Sequence, residues 1–264
     1  MNSGTIISSN AGNIRLETNN TSIISKLDAR ADNDRDEDMI DAQNTWGDIS
    51  ITIANGAISE IGTDDNVVDI YAKELSIHTR DAIGILNQGN GNAIDTEIAS
   101  LTAKVDADGG ISIFDLTDIT IDTITDFNVH RVLFDASTEN KGDEISLSGL
   151  ESGTNGAIVI RTLEGSIDVD QHITSSSHIL LGATANVTQD ADMISSQGSI
   201  SITAAQDISQ NANINAKGTI DVQGGNHITV SETFTSETQN ENIRYHAGNV
   251  LTTGILMRVR VVCR

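Results

Sequence analysis

Gly198-Ser-Ile-Ser-Ile202-Thr-Ala-Ala-Gln-Asp-Ile208-Ser-Gln-Asn-Ala-Asn-Ile214-Asn-Ala-Lys-Gly218-Thr-Ile220-Asp-Val222 returns to its own pattern after 20 residues, from Gly198 to Gly218. Each Gly-x-Ile-x-Ile/Val unit alternates apolar and polar residues, so both aliphatic side chains of a short strand point to one face and the residue between them to water. Extending the β-branched anchors in both directions gives Ile167, Ile173, Ile179, Val187, Ile194, Ile200, Ile208, Ile214, Ile220 and Ile228. Their steps are 6, 6, 8, 7, 6, 8, 6, 6 and 8, and in threes they advance 20, 21 and 20 residues. A helical period does not produce such steps, and sandwich strands recur at about 8 to 12 residues. The spacing predicts an all-β, right-handed parallel β-helix (β-solenoid) with about 20 residues and three short strands per coil.

In such a stack each strand lies about 4.8 Å from its copy in the next coil, like side chains stack on like, and no coil can bury its aliphatic residues alone. The composition agrees. Aromatic residues make up 3% of the 264, there is no proline, and 22 glycines with many Asn, Asp, Ser and Thr supply the corners. The first half uses the same vocabulary in Gly47-Asp-Ile-Ser-Ile51, Gly110-Ile-Ser-Ile113 and Gly142-Asp-Glu-Ile-Ser-Leu147. Gly47 and Gly56 are echoed by Gly156 and Gly165 at an offset of 109 residues, which reads as the start of a second copy of a larger unit. Between them, 84–101 reads as an excursion from a coil, with Ile94 to Leu101 ambiguous between a strand and a short helical turn. The resulting division is an acidic irregular segment at 1–45, a β-helix repeat region at 46–250, and an atypical basic and apolar tail at 251–264.

The formal net charge of −23 repels phosphate backbones and anionic lipid heads, so nucleic acid and direct membrane insertion are not expected. Cys263 is the only cysteine and excludes an internal disulfide. The first residues lack a basic and apolar leader, so an export signal is expected outside this sequence.

The stretch 198–222 resembles the coils of filamentous haemagglutinin-like exoproteins. The 84–113 stretch, with Ala-Ile-Asp-Thr-Glu-Ile-Ala-Ser-Leu101 and Gly-Gly-Ile-Ser-Ile113, is similar to the long repeat of very large bacterial surface adhesins. The resemblance covers about 46–230. It implies a structural and adhesive stalk segment of a secreted or cell-surface protein of a Gram-negative bacterium. It further implies an outer-membrane secretion partner for the parent and a receptor or glycan on a host or neighbouring cell. The basic tail departs from that pattern.

No catalytic, cofactor-binding or metal residue is expected. Asp32, Asp34, Asp36 and Asp38 alternate as calcium ligands do, but an EF-hand counted from Asp32 requires Gly and Glu where Glu37 and Gln43 stand. Weak surface calcium binding at 28–41 stays open beside a solvated charge run. His78, His130, His172, His178, His227 and His246 are scattered, with His172 and His178 one strand step apart. Asp168, Asp170 and Asp221 are the carboxylates that an alternative reading, a carbohydrate-active β-helix enzyme (polysaccharide lyase or glycosidase), would use. Scarce aromatic and basic residues weigh against it. Asn211, Asn213 and Asn215 read as ladders between coils, Trp46 reads as a core plug, and ligand contact is expected on loops 84–95 and 136–144.

Overall fold

A computed structural model describes residues 4–32, 43–61, 67–86, 92–141 and 146–253. Asp34, Asp36, Asp38, Gly89, Gly91, Gly142 and the tail beyond Thr253 lie outside them. The chain is a parallel β-solenoid of about ten coils averaging roughly 23 residues. The first coils comprise β1 (Ile6–Ser8), β2 (Ile14–Thr18), β3 (Ser22–Ile24), β4 (Lys26–Asp28), β5 (Ile49–Ile53) and β6 (Ile58–Glu60). The middle holds β7 (Ile70–Thr79), β8 (Ile94–Val105), β9 (Ile111–Asp115) and β10 (Ile119–Ile121). An excursion follows, containing β11 (Thr123–Thr125), β12 (Val129–Val132), β13 (Thr138–Lys141) and β14 (Ser146–Ser148). The stack resumes with β15 (Leu150–Glu151), β16 (Ile158–Thr162), β17 (Ile167–Val169), β18 (Ile173–Ser175), β19 (Ile179–Ala183), β20 (Val187–Gln189), β21 (Met193–Ser195) and β22 (Ile200–Ala204). It ends with β23 (Ile208–Gln210), β24 (Ile214–Ala216), β25 (Ile220–Gly224), β26 (His227–Val230), β27 (Ser236–Thr238), β28 (Ile243–Ala247) and β29 (Val250–Thr253).

In the second half the register is the one the spacing requires. Ile167, Val187, Ile208 and Ile228 stack in one column, and Ile179, Ile200, Ile220 and Ile243 in another. Five-residue strands such as β16, β19 and β22 alternate buried and partly exposed residues, and the buried set joins one continuous aliphatic core. The third column corrects the sequence reading. It runs Ile173, Met193, Ile214, so Met193 is the inward anchor and Ile194 faces outward at 38% exposure. Side-chain direction has period two, and a frame displaced by one residue inverts the face. The steps there are 6 then 7 rather than 7 then 6.

The corners explain the Asn, Asp and Ser content. Where the chain bends, a backbone N–H leaves the strand ladder and a side chain one coil back accepts it. The Asp48 amide donates to Asn13 Oδ1 (2.8 Å), Ser166 to Asp118 Oδ1 (2.6 Å), Asp207 to Asn186 Oδ1 (3.1 Å) and His227 to Asp207 Oδ1 (2.9 Å). The next corner repeats this, with Asn213 donating to Asp192 (2.9 Å) and Thr235 to Asn213 (3.0 Å). Backbone donors at the corners are thereby satisfied without proline or disulfides.

The first half departs from expectation in three places. Residues 1–45, expected to be irregular, carry β1 to β4, which pair in parallel with β4, β5, β6 and β7. The exposed β1 and the long connection from Asp28 to Ile49 hide the repeat in the sequence. Ile94 to Leu101 is not an excursion but most of the longest strand, β8. Both β7 and β8 run through corners, so that one strand serves several columns: β7 pairs back with β4 and β5, β8 pairs onward with β9, β10 and β15, and the two pair with each other from Ile70↔Thr96 to Thr79↔Val105. Before β8, the Ile85 amide donates to the Asn92 carbonyl (2.7 Å). Trp46 is buried but lies outside the aliphatic core. It packs edge-on against Tyr71, 6.2 Å between centroids, over the outer surface of β7.

Candidate functional site

The outer and corner positions of β4 to β9 gather buried polar groups that a solenoid core does not need. Asp28 holds Arg30 in a two-pronged pair (3.0 and 2.9 Å), and the Arg30 guanidinium lies 3.6 Å from the centre of the Tyr71 ring. Deeper in, the carboxylates of Glu60 at the end of β6, Asp69 just before β7 and Asp95 in β8 are all buried, with oxygens within 4.8 Å of one another. Stacking forces this meeting, because Asp69 and Asp95 begin successive coils at one corner: the Asp69 amide donates to the Asp95 carbonyl (2.9 Å).

Three carboxylates cannot all ionise in so small a buried volume. Burial, together with a hydrogen bond to Glu60 and that residue's charge, pushes Asp69 up to about 8, which favours a proton shared within the cluster over three ionised carboxylates. The group titrates as a unit. An all-oxygen donor set also matches the preference of hard divalent cations, which take about six to eight oxygens, but a shared proton relieves the same repulsion.

Asp115 is fully enclosed in the position that Ala183 and Ala204 occupy in later coils. It accepts hydrogen bonds from Thr96 Oγ1 (2.6 Å), the Ile98 amide (3.2 Å) and the Thr117 amide (2.9 Å). Burial raises it well above the usual carboxylate range even against those bonds. Gln43, from the connection between β4 and β5, reaches Thr117 Oγ1 (2.8 Å) and helps roof this region. Sequence reasoning missed Glu60, Asp69, Asp95 and Asp115 because they are far apart in the chain. The one signal was a carboxylate at an apolar position of the alternation, as in Ile111-Ser-Ile-Phe-Asp115. Gln189 and Gln210 were missed likewise: they stack inside the coil between Val169 and Val230.

The carboxylates singled out from the sequence stay apart. Asp168 faces outward between Thr120 and Thr188, whereas Asp221 sits in another column, held by Arg244 at 2.7 Å through both oxygens. Asp170 stands near Asp122 and Asp190 at a corner, and burial and those charges raise it. The histidines also remain separate. His178 Nδ1 accepts the Ser199 amide (3.0 Å), His227 contacts Asp207 (3.1 Å) and His78 contacts Asp106 (2.8 Å). Of the asparagines, Asn211 bonds Asp190 and Ser231 in a corner ladder and Asn213 bonds Asp192 and Thr235. Asn215 instead lines an open groove of about 390 Å³ with Ile194, Lys217 and Glu237.

The largest departure from the coil among the described residues is the excursion between β10 and β15. Its base, β11 paired antiparallel with β14, buries Ile124 against β8. Arg15 on β2 clamps it, bonding the Phe127 carbonyl (2.9 Å) and Asp126 (2.8 Å) with both side chains nearly buried. Beyond the clamp, the β12–β13 hairpin projects, and every side chain of its turn is exposed. No family model matches this chain, and no curated protein or solved structure matches it either.

Proposed function

We propose that this chain is a non-catalytic structural and adhesive stalk segment of a large secreted or cell-surface protein of a Gram-negative bacterium. The observation that carries the reading is the parallel stack itself. About ten coils at ~4.8 Å form a rod roughly 45–50 Å long, which holds a clamped hairpin away from its own surface. A rod of stacked, backbone-paired coils buries each coil's aliphatic residues against its neighbours and spaces what it carries from its point of attachment. Function in such folds resides in the segments that leave the scaffold. Acidity keeps the rod solvated and separate from like-charged neighbours. The partners are a receptor or glycan on another cell and, for the parent protein, an outer-membrane secretion partner. No cofactor is required.

The test is attachment of producing cells to abiotic and cellular surfaces, with and without the gene for the parent protein. Loss of attachment on deletion, restored by complementation, is expected. Unchanged attachment would remove the adhesive reading, and robust release of new reducing ends or unsaturated products from a polysaccharide by the purified chain would replace it with an enzymatic one.

A further inference from the structure

The β12–β13 hairpin carries the longest run of consecutive exposed apolar side chains among the described residues. Val132, Leu133 and Phe134 form a consecutive apolar turn; Val132 is 67% exposed and the Phe134 ring is wholly in solvent. The turn is ordered, closed by the Leu133 amide on the Ser137 carbonyl (2.8 Å) and by Asp135, whose carboxylate accepts the Ser137 amide (3.0 Å) and hydroxyl (2.6 Å). Among the described residues β12 and β13 pair with each other and with no other strand, so their outer edges are unpaired there. Such a ribbon is marginal in isolation and gains from additional strands.

Charge identifies the occupant. The chain carries −23 overall, so two copies repel each other along most of their length. Residues 129–141 form an exception: Arg131 and Lys141 balance Asp135 and Glu139, and Glu139 lies 3.8 Å from Arg131 and 3.2 Å from Lys141. A second acidic copy can therefore approach there without like-charge cost. A bilayer fits less well, since inserting Phe134 would carry the adjacent Asp135 carboxylate into the headgroup layer, and anionic lipid would repel the rod.

We propose that this hairpin is a self-association element. Two copies pair hairpin to hairpin about a two-fold axis, burying Val132 and Phe134 between them. A two-fold contact is self-complementary and closes at a dimer, whereas pairing through the coil ends would be head-to-tail and open-ended. The clamp from Arg15 and the buried Ile124 fix the hairpin before contact, so little ordering is left for association. This contact does not depend on the adhesive reading; it stands whether or not the rod attaches to anything else.

The experiment is sedimentation velocity of the whole chain up to about 100 μM, beside Phe134→Ser and Val132→Thr, with Val250→Lys at the last described coil as a control for end-to-end stacking. The expected result is a dimer that Phe134→Ser weakens at least about tenfold, with an unchanged melting temperature and no effect of Val250→Lys. A second readout places a cysteine at the tip, Ala136→Cys in a Cys263→Ser background, and expects an oxidised dimer linked through position 136. A monomer throughout the range would overturn the proposal. So would association indifferent to Phe134→Ser but abolished by Val250→Lys, or Phe134-dependent binding to phosphatidylcholine vesicles by a chain that remains monomeric.

Discussion

Exchanging Met193 and Ile194 separately for alanine tests the register of the whole second half. Met193 is fully buried, stacked between Ile173 and Ile214, and Ile194 is 38% exposed on the rim of a groove. Met193→Ala removes the side chain beyond Cβ from a site whose neighbours above and below are pinned by backbone pairing, so the cavity collapses poorly. Truncations of this kind cost about 2–5 kcal/mol, and the pinned neighbours place this one near 3. Ile194→Ala removes apolar surface already partly wet and leaves no closed cavity, for a loss of about 1 kcal/mol or less. Urea denaturation is the first assay. Native-state hydrogen exchange across β18, β21 and β24 is the second, because a solenoid unfolds in local segments and a global midpoint averages over them. The predicted gap is about 2 kcal/mol. An Ile194→Ala loss equal to or larger than the Met193→Ala loss would mean that the frame of this column is displaced by one residue.

The raised Asp69 carboxyl makes stability depend on pH. Its folded value of about 8 lies above that of an unfolded carboxyl, so between about pH 4 and 8 the folded chain holds a proton the unfolded chain has lost. Its contribution is complete below that window and is lost as pH rises through it, at up to about 1.4 kcal/mol per pH unit. Melting temperature should therefore fall from pH 5 to 9, and Asp69→Asn should flatten the slope; a slope that survives the substitution assigns the proton elsewhere. Gly156→Ala would set a Cβ 1.7 Å from the Gly109 carbonyl oxygen, backbone against backbone, and is expected to cost about 3 kcal/mol or more. Gly182→Ala, whose nearest neighbour would be 3.4 Å away, should be close to neutral in the same thermal assay. Arg15→Met strands Asp126 in a buried site, with a penalty of about 3–5 kcal/mol. Limited proteolysis should then open 122–149 while β18 to β26 remain protected, and uniform protection would show that the clamp is dispensable.

The 20-residue return of Gly-x-Ile-x-Ile was enough to specify the parallel stack over β16 to β26, because in a solenoid the neighbour in space is the same position one period along the chain. Local alternation then determines both the face and the partner. The corner ladders were legible for the same reason: Asn186, Asp207 and Asn226 recur with the strands they cap. Where two apolar residues adjoin, as at Met193-Ile194, composition does not choose the inward one, and only pairing with Ile173 and Ile214 does. In the first half the period is broken by the long connection after β4, the continuous runs of β7 and β8 and the excursion at 122–149, so coils present in space leave no fixed spacing in the sequence. The candidate site lies in that half. Glu60, Asp69 and Asp95 meet, and Arg15 reaches Asp126 across 111 positions, because coil stacking and a returning loop bring distant residues within a few ångströms. Sequence alone determined the repeat and the kind of residue at each corner. Tertiary structure decided which charges are buried together, because burial and mutual distance belong to the stack and not to any one of its segments.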